Sequence, residues 1–240
     1  MLATRLSRSS GLRGPMRRVA SPWQSTAERW TSCPTITEEP AFAWCETGAR
    51  VVRAEGGSGP PQGMEDLSRA SGLPLWLDVT RGTLVLAHPG GVLKGEPGSL
   101  EAARSVLLEP EAAAPEVLYW AFRDVVLPTD VEVFRERRVR HSLLLLCAGR
   151  VGKEYVKTHG HRVTLADGAG SPEVYGVLYG RGVFVLQETV EEACGWPEAR
   201  VTDVRWIEAA RGDKVVVPAG YGVVVANTGQ GPLLLSNLAI

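Results

Sequence analysis

Residues 173–188 have the sequence EVYGVLYGRGVFVLQE. It contains two apolar runs of strand length, 173–179 and 183–188, which are separated by the glycine-containing turn 180–182. Short apolar runs separated by glycine-rich turns are typical of the strands of an antiparallel sandwich or barrel. The stretch therefore predicts antiparallel strands in the middle of the folded region.

The same pattern continues toward both ends of the chain. Further strands are predicted at 117–127, 141–147, 153–158, 204–209, 214–218, 222–227 and 232–238, and an earlier hairpin at 75–79 and 83–87. Many short strands separated by glycine-rich turns indicate an antiparallel sandwich or barrel. One helix is predicted at residues 99–108, with Ser99 as its N-cap and Glu101 in its first turn.

Composition divides the chain into two parts. Residues 1–72 are rich in Gly, Pro, Ser and Arg, and they include the low-complexity sequence EGGSGPPQG at 55–63. Such a composition buries too little apolar surface to offset the entropy of the chain. We therefore expect an irregular leader and linker at 1–72 and one all-β domain at 73–240.

Charge and hydropathy exclude several classes of function. The formal net charge is −1, from 26 basic and 27 acidic residues, so net charge predicts no nucleic-acid partner. No apolar run approaches the roughly 18 residues that cross a bilayer, so no membrane association is expected. The four cysteines form no Cys-x-x-Cys pair, which favours a reducing compartment and a cytoplasmic location. The first 27 residues, with five arginines, five serines and no acidic residue, leave organellar import as the alternative.

The residues at 157–175 suggest metal chemistry. His159 and His161 lie two residues apart, so an extended strand places both on one side, about 6.6 Å apart. With Glu173 they would form a set of two histidines and one carboxylate, which suits a catalytic metal with open positions. In the alternative without a metal, His159 is an exposed polar residue at a strand end and Glu173 is paired with Arg162 or Arg181.

Several ordered blocks resemble one known family. They are YWAFRDV (119–125), GKEYVKTHGH (152–161), PEVYGVLYGRGVFVLQ (172–187), GDKVVVPAGYGVVVANTG (212–229) and PLLLSNL (232–238). In order and spacing they resemble the cupin-type glucose-6-phosphate isomerases. The resemblance implies a cupin jelly-roll antiparallel barrel with a short helical segment. It also implies one divalent metal (iron, manganese, nickel or zinc) that assists the interconversion of glucose 6-phosphate and fructose 6-phosphate.

The family's metal ligands are three histidines and one glutamate, and the chain matches two of these four positions. His161 falls at the first ligand histidine and Glu173 at the carboxylate. Val163 and Val223 stand where the second and third histidines would be, and valine has no lone pair to offer a metal. The resemblance thus implies a degenerate site, with His159 as the only nearby replacement ligand.

The remaining site residues follow from the same resemblance. It implies catalytic roles for Glu173 and Tyr175, and substrate contacts at Thr158, Gly160 and Tyr221, the first two of them to phosphate. Leu144 replaces a threonine that contacts substrate in the family.

Three functions remain open on these grounds. The first is a glucose-6-phosphate isomerase with a shifted metal site or with weakened activity. The second is a non-catalytic cupin that binds a sugar phosphate, and the third is an interaction domain. A homodimer formed through an exposed sheet edge is expected in each case.

Overall fold

The computed structural model describes residues 49–51, 60, 62–88, 93–165, 168–190 and 200–240. The arginine-rich leader and most of the low-complexity linker lie outside these residues. The described strands are β1 (Ala49–Val51), β2 (Met64–Asp66), β3 (Leu75–Asp78), β4 (Thr83–Leu86), β5 (Gly95–Ser99), β6 (Val117–Phe122), β7 (Arg140–Leu146), β8 (Arg150–Val151), β9 (Glu154–Tyr155), β10 (Glu173–Tyr179), β11 (Arg181–Val190), β12 (Arg200–Ala210), β13 (Lys214–Val217), β14 (Tyr221–Asn227) and β15 (Leu233–Ala239). The helices are α1 (Ser68–Ser71), α2 (Leu100–Ala103) and α3 (Val131–Arg137), and Arg104–Val106 forms a 3-10 turn.

Two antiparallel sheets enclose the core that carries the candidate site. One has the order β13-β10-β15-β7-β6-β5 and the other the order β12-β11-β14. Apolar side chains from both sheets meet in one buried cluster, which includes Val177, Phe184, Val215, Val225 and Leu235. The expectation of an antiparallel all-β fold with short helical segments is therefore confirmed.

A second layer covers the opposite face of the six-stranded sheet. The sheet β1-β4-β3-β2 packs there, and its leucines form a buried cluster with Leu143 and Leu145 of β7 and Leu234 of β15. The run of four leucines at 143–146 is buried or partly buried throughout because both faces of β7 are covered. The pairing of β1 with β4 is parallel, unlike the other pairs between described strands.

The predicted early hairpin is present as β3–β4. The two strands of the opening stretch, β10 and β11, follow each other at Gly180, which has φ +82°, but they do not pair with each other. Strand β10 belongs to the six-stranded sheet and β11 to the three-stranded sheet, so this turn takes the chain from one sheet to the other. Residues 153–158 form only a two-residue strand in their own hairpin. Residues 156–158 instead form backbone hydrogen bonds with β14. Thr158 N donates to Val225 O at 2.9 Å, and Asn227 N donates to Val156 O at 2.9 Å.

The helix predicted at 99–108 is shorter than expected. Ser99 is its N-cap, and its hydroxyl accepts from Ala102 N at 3.2 Å, as predicted. The α-helix ends at Ala103, however, and a 3-10 turn follows. The N–H of Leu107 donates to Arg104 O in the 3-10 turn, and the N–H of Leu108 donates to the Glu154 carboxylate, so neither continues the α-helical ladder.

Ordered structure extends into the segment that composition assigns to the linker. Strand β2 and helix α1 precede residue 73, and Leu67 between them is fully buried against the outer leucine cluster. Elements of three and four residues are too short to give a periodic signal, so composition alone did not identify them. The division at 72/73 stays a prediction.

No helix in the described part of the chain is both long enough and apolar enough to cross a membrane.

Candidate functional site

Glu173 is a buried carboxylate at the start of β10. Side chains alternate along a strand, so Glu173, Tyr175 and Val177 share the face that points into the core between the two sheets. Glu173 lies opposite Val217 on one neighbouring strand and Ala239 on the other. It is only 2% exposed, so its charge must be stabilised by neighbouring groups.

Three side chains interact with this carboxylate. Asn237 Nδ2 donates to Glu173 Oε2 at 2.8 Å, and Tyr175 OH donates to the same oxygen at 3.2 Å. His161 Nε2 lies 3.3 Å from Oε2 and 3.2 Å from Oε1. The contact with Oε1 meets the distance for an ion pair, but Oε1 has no hydrogen-bond partner among the described residues. One buried oxygen of Glu173 is therefore available to a further donor.

The neighbours of Glu173 keep it ionised. Burial raises the pKa of Glu173, but the hydrogen bond and positive charge of His161, together with the hydrogen bonds from Asn237 and Tyr175, outweigh burial and lower the pKa below its ordinary value of 4.5. A carboxylate stabilised in this way is a weak proton acceptor, because its hydrogen bonds favour the charged form.

Tyr175 acts as a neutral donor in this group. Burial, the charge of Glu173 and the hydrogen bond to Glu173 all raise the pKa of Tyr175 above its ordinary value. Its ring also contacts Phe184 edge-on, with the ring centroids 5.4 Å apart. Tyr175 thus joins the polar group to the apolar core beneath it.

His161 reaches Glu173 from an irregular segment that runs beside β14. The backbone of His161 forms two hydrogen bonds with Val223, from His161 N to Val223 O at 3.1 Å and from Val223 N to His161 O at 2.8 Å. Gly160, just before it, has φ +91°, a conformation that favours glycine. The His161 side chain is 50% exposed, so the site opens to solvent on this side.

The other residues predicted for the site lie apart from this group. His159 is exposed, and it forms neither an ion pair nor a hydrogen bond with any described residue. The Thr158 hydroxyl accepts from Val225 N at 3.0 Å, which fixes the segment to β14. Tyr221 OH donates to Asp203 Oδ2 at 2.6 Å and accepts from Arg205 Nη2 at 3.1 Å, so it interacts with β12.

The donor set does not fit a tightly held metal. Among the described residues, no three His, Cys, Asp or Glu side chains are grouped as a metal site. Val223 is 1% exposed and belongs to the apolar core, and Val163 is partly buried. His161 and Glu173 thus supply two donors where tight binding of a first-row metal needs three or four.

The sequence analysis did not single out Asn237. It lies beside Tyr175 on the paired strand β15, and its amide makes the shortest hydrogen bond to Glu173. The sequence signal that could have identified Asn237 is its amide side chain within the otherwise apolar block PLLLSNL, next to Ser236. A polar side chain in a strand of this kind needs a partner, and the partner here is the carboxylate.

The lowered pKa of Glu173 predicts a contribution to acid sensitivity. Because its pKa is lower in the folded protein than in the unfolded chain, Glu173 stabilises the fold above about pH 4.5, and this stabilisation is lost as pH falls through the folded-state pKa. Denaturant unfolding at several pH values between about 3 and 7 should show a smaller loss of stability in acid for Glu173→Gln than for the wild type. Equal losses in the two proteins would contradict the proposed stabilisation of the carboxylate.

Comparison with known proteins identifies the family. The family model for glucose-6-phosphate isomerase (GPI) matches residues 100–240, which is more than half of the chain. A glucose-6-phosphate isomerase from Pyrococcus abyssi is 33% identical over 100 residues, which are 42% of this chain and 46% of that protein. One from Thermococcus gammatolerans gives the same identity and coverage. The match thus spans less than half the length of these relatives.

Solved structures show weaker similarity. A predicted oxalate decarboxylase from Thermotoga maritima has a TM-score of 0.37 at 14% identity, covering 62% of this chain and 92% of that one. A Cupin 2 conserved barrel domain protein from Salinispora arenicola has a TM-score of 0.33 at 16% identity, covering 50% of this chain and 74% of that one. The extent of the family match is decisive: the chain belongs to the cupin-type glucose-6-phosphate isomerase family.

Proposed function

We propose that the chain is a glucose-6-phosphate isomerase-like cupin that binds a sugar phosphate and isomerises it slowly, without a tightly held metal. The observation that carries this proposal is the buried Glu173 carboxylate, which has one unpartnered oxygen and contacts a half-exposed histidine. Family membership supplies the substrate class, glucose 6-phosphate and fructose 6-phosphate.

Isomerisation requires a base and donors in one place. A proton must move between C1 and C2 of the sugar while charge on O1 and O2 is stabilised. In this proposal the free Oε1 of Glu173 accepts the proton, and His161 stabilises the charge on the sugar oxygens.

The hydrogen bonds around Glu173 support low activity. The pKa of Glu173 is lowered, which reduces its strength as a base. Among the residues that the structure describes, a metal at this site would find only His161 and Glu173 as strong donors, which are too few to hold it tightly. Proton transfer without that electrostatic assistance is slower, since charge stabilisation is commonly the largest contribution to catalysis.

The segment Thr158–Gly160 supports phosphate binding. It is held against β14 by the hydrogen bonds of Thr158 with Val225, so its backbone is in place before a ligand arrives. The Thr158 hydroxyl accepts from Val225 N and keeps its own proton to donate. A bound phosphate would accept hydrogen bonds from this hydroxyl and from the backbone N–H of Gly160.

The homodimer and the cytoplasmic location are also retained as proposals.

A second candidate is a non-catalytic sugar-phosphate-binding cupin. It is favoured by the near-complete burial of Glu173 behind His161 and by the hydrogen bonds that hold the carboxylate in place. Binding is common to both candidates, and turnover distinguishes them.

The test combines calorimetry with a coupled assay on chelated full-length protein. We expect glucose 6-phosphate to bind and glucose, which lacks the phosphate, to bind at least about tenfold more weakly, since charge-assisted hydrogen bonds are lost. We expect Glu173→Gln to lower the slow turnover by about a hundredfold or more while binding persists. Binding without turnover would establish the second candidate, and equal affinity for the two sugars would refute both.

A further inference from the structure

A cavity lies on the back of the sheet that carries Glu173. Residues of β10 alternate between the two faces, so Val174 and Gly176 line this cavity while Glu173 and Tyr175 point the other way. Its volume is about 250 Å³. It is bounded by residues 71–73 and by α3. It is therefore a different site from the Glu173 group.

Two donors in the cavity lining converge on a glycine. Lys214 of β13 and Ser236 of β15 lie directly opposite Gly176 on either side. A Cβ on Gly176 would lie 2.9 Å from Ser236 Oγ and 3.3 Å from Lys214 Nζ, so the two polar atoms approach the same point above the strand. Neither side chain has a hydrogen bond or ion pair with any described residue. The ammonium group of Lys214 and the hydroxyl of Ser236 thus lie close to each other above Gly176, and neither has an acceptor among the described residues.

The rest of the cavity lining is mostly apolar. Leu73 and Val125 are buried, and Phe134 of α3 lies beside His141, whose Nδ1 is 2.6 Å from Val125 O. The carboxylate that also lines the cavity belongs to Asp130, the N-cap of α3, and it accepts from Thr129 Oγ1 at 3.0 Å. Asp130 repels an anionic group, whereas Lys214 attracts it.

We propose that this cavity binds a small monocarboxylate with a short apolar chain. The carboxylate lies above Gly176, where it accepts from Lys214 Nζ and Ser236 Oγ, and the chain extends toward Leu73 and Phe134. The site offers a charged donor, a second donor, a floor without a side chain, and apolar walls. The two donors match a carboxylate, and the apolar walls match a short apolar chain. The cavity is smaller than the roughly 300–1,000 Å³ of sites for drug-sized ligands, so the ligand is a short-chain acid.

The ligand would touch the strand that carries the candidate active site. Val174 and Gly176 alternate on β10 with Glu173 and Tyr175. A carboxylate over Gly176 would therefore contact the backbone next to Tyr175, on the reverse side of the sheet.

The experiment is a calorimetric titration of the full chain with acetate, butyrate and hexanoate, with inorganic phosphate as a purely polar anion. We expect the dissociation constant to fall about fourfold for each buried methylene. Lys214→Met should weaken butyrate binding by at least about tenfold, because a charge-assisted hydrogen bond is lost. Gly176→Ala should weaken binding by at least about tenfold, because its methyl group would crowd Ser236 Oγ and Lys214 Nζ and displace both donors.

Two matched variants separate this site from other causes. Lys153→Met removes a solvent-exposed lysine far from the cavity, and Glu173→Gln alters the front site, and both should bind butyrate like the wild type. Thermal midpoints without ligand identify any variant that is not folded. The proposal fails if affinity does not depend on chain length, if phosphate binds as tightly as hexanoate, or if Lys153→Met weakens binding as much as Lys214→Met.

Discussion

Returning histidine to positions 163 and 223 is expected to create a tight divalent-metal site. In the structure, the backbone of Val223 is hydrogen-bonded to the backbone of His161. The carbonyl of Val163 accepts from the N–H of Ser171, and Ser171 lies two residues before Glu173. Two imidazoles at these positions would bring the donor set to three histidines and one carboxylate. We expect Val163→His/Val223→His to bind Zn²⁺ on the order of a thousandfold more tightly than the wild type, since affinity follows the number of protein donors.

Stability provides a second measurement for the same variant. Val223 is in the apolar core, so a histidine without metal should lower the free energy of unfolding by about 1–3 kcal/mol, and added Zn²⁺ should reverse this. The matched control is Val163→His/Val225→His. Val225 lies two residues after Val223 on the same face of β14 and is equally buried. That control should be destabilised without gaining metal affinity. If both double variants bind Zn²⁺ alike, or neither does, His161 and Glu173 are not the remainder of a metal site.

The sequence predicts the central strands well because their signals are local. The bounds of β10 match the prediction residue for residue, and the turn at Gly180 requires a positive φ that glycine allows. The alternation along this strand also predicts that Glu173 and Tyr175 share a face, and in the structure they are hydrogen-bonded. These results depend only on residues close together in the chain.

Features that depend on distant residues were not predicted. Strands β1 and β2 of the covering sheet have three residues each, which is too short to give a periodic pattern, although the β3–β4 hairpin between them was predicted. The amide of Asn237 meets Glu173 across 64 positions of sequence, and no local rule identifies such a pair. His159 illustrates the opposite case: its spacing from His161 suggested a shared site, but the segment is irregular, so strand geometry does not apply.

The local ion pair Glu154–Lys157 makes long-range contacts, and these fix the segment that leads to His161. Glu154 is 1% exposed and Lys157 12% exposed, and the two form a salt bridge. Glu154 Oε2 also accepts from Leu108 N at 2.6 Å, and Lys157 Nζ donates to Val106 O at 2.9 Å. Both residues thereby connect the loop after α2 to the start of the site segment.

Glu154→Ala is expected to lower the free energy of unfolding by about 3–5 kcal/mol, because it leaves a buried ammonium group and the Leu108 N–H without the carboxylate. Denaturant unfolding measures this loss directly. The double variant Glu154→Met/Lys157→Met keeps a similar volume and removes both charges, so its stability should lie closer to the wild type than that of Glu154→Ala. The comparison of the two free energies of unfolding tests the role of unpaired charge, because a buried ion pair is costly to break and much less costly to replace with apolar side chains. If the double variant is the less stable of the two, the hydrogen bonds to Leu108 and Val106, rather than unpaired charge, dominate at this position.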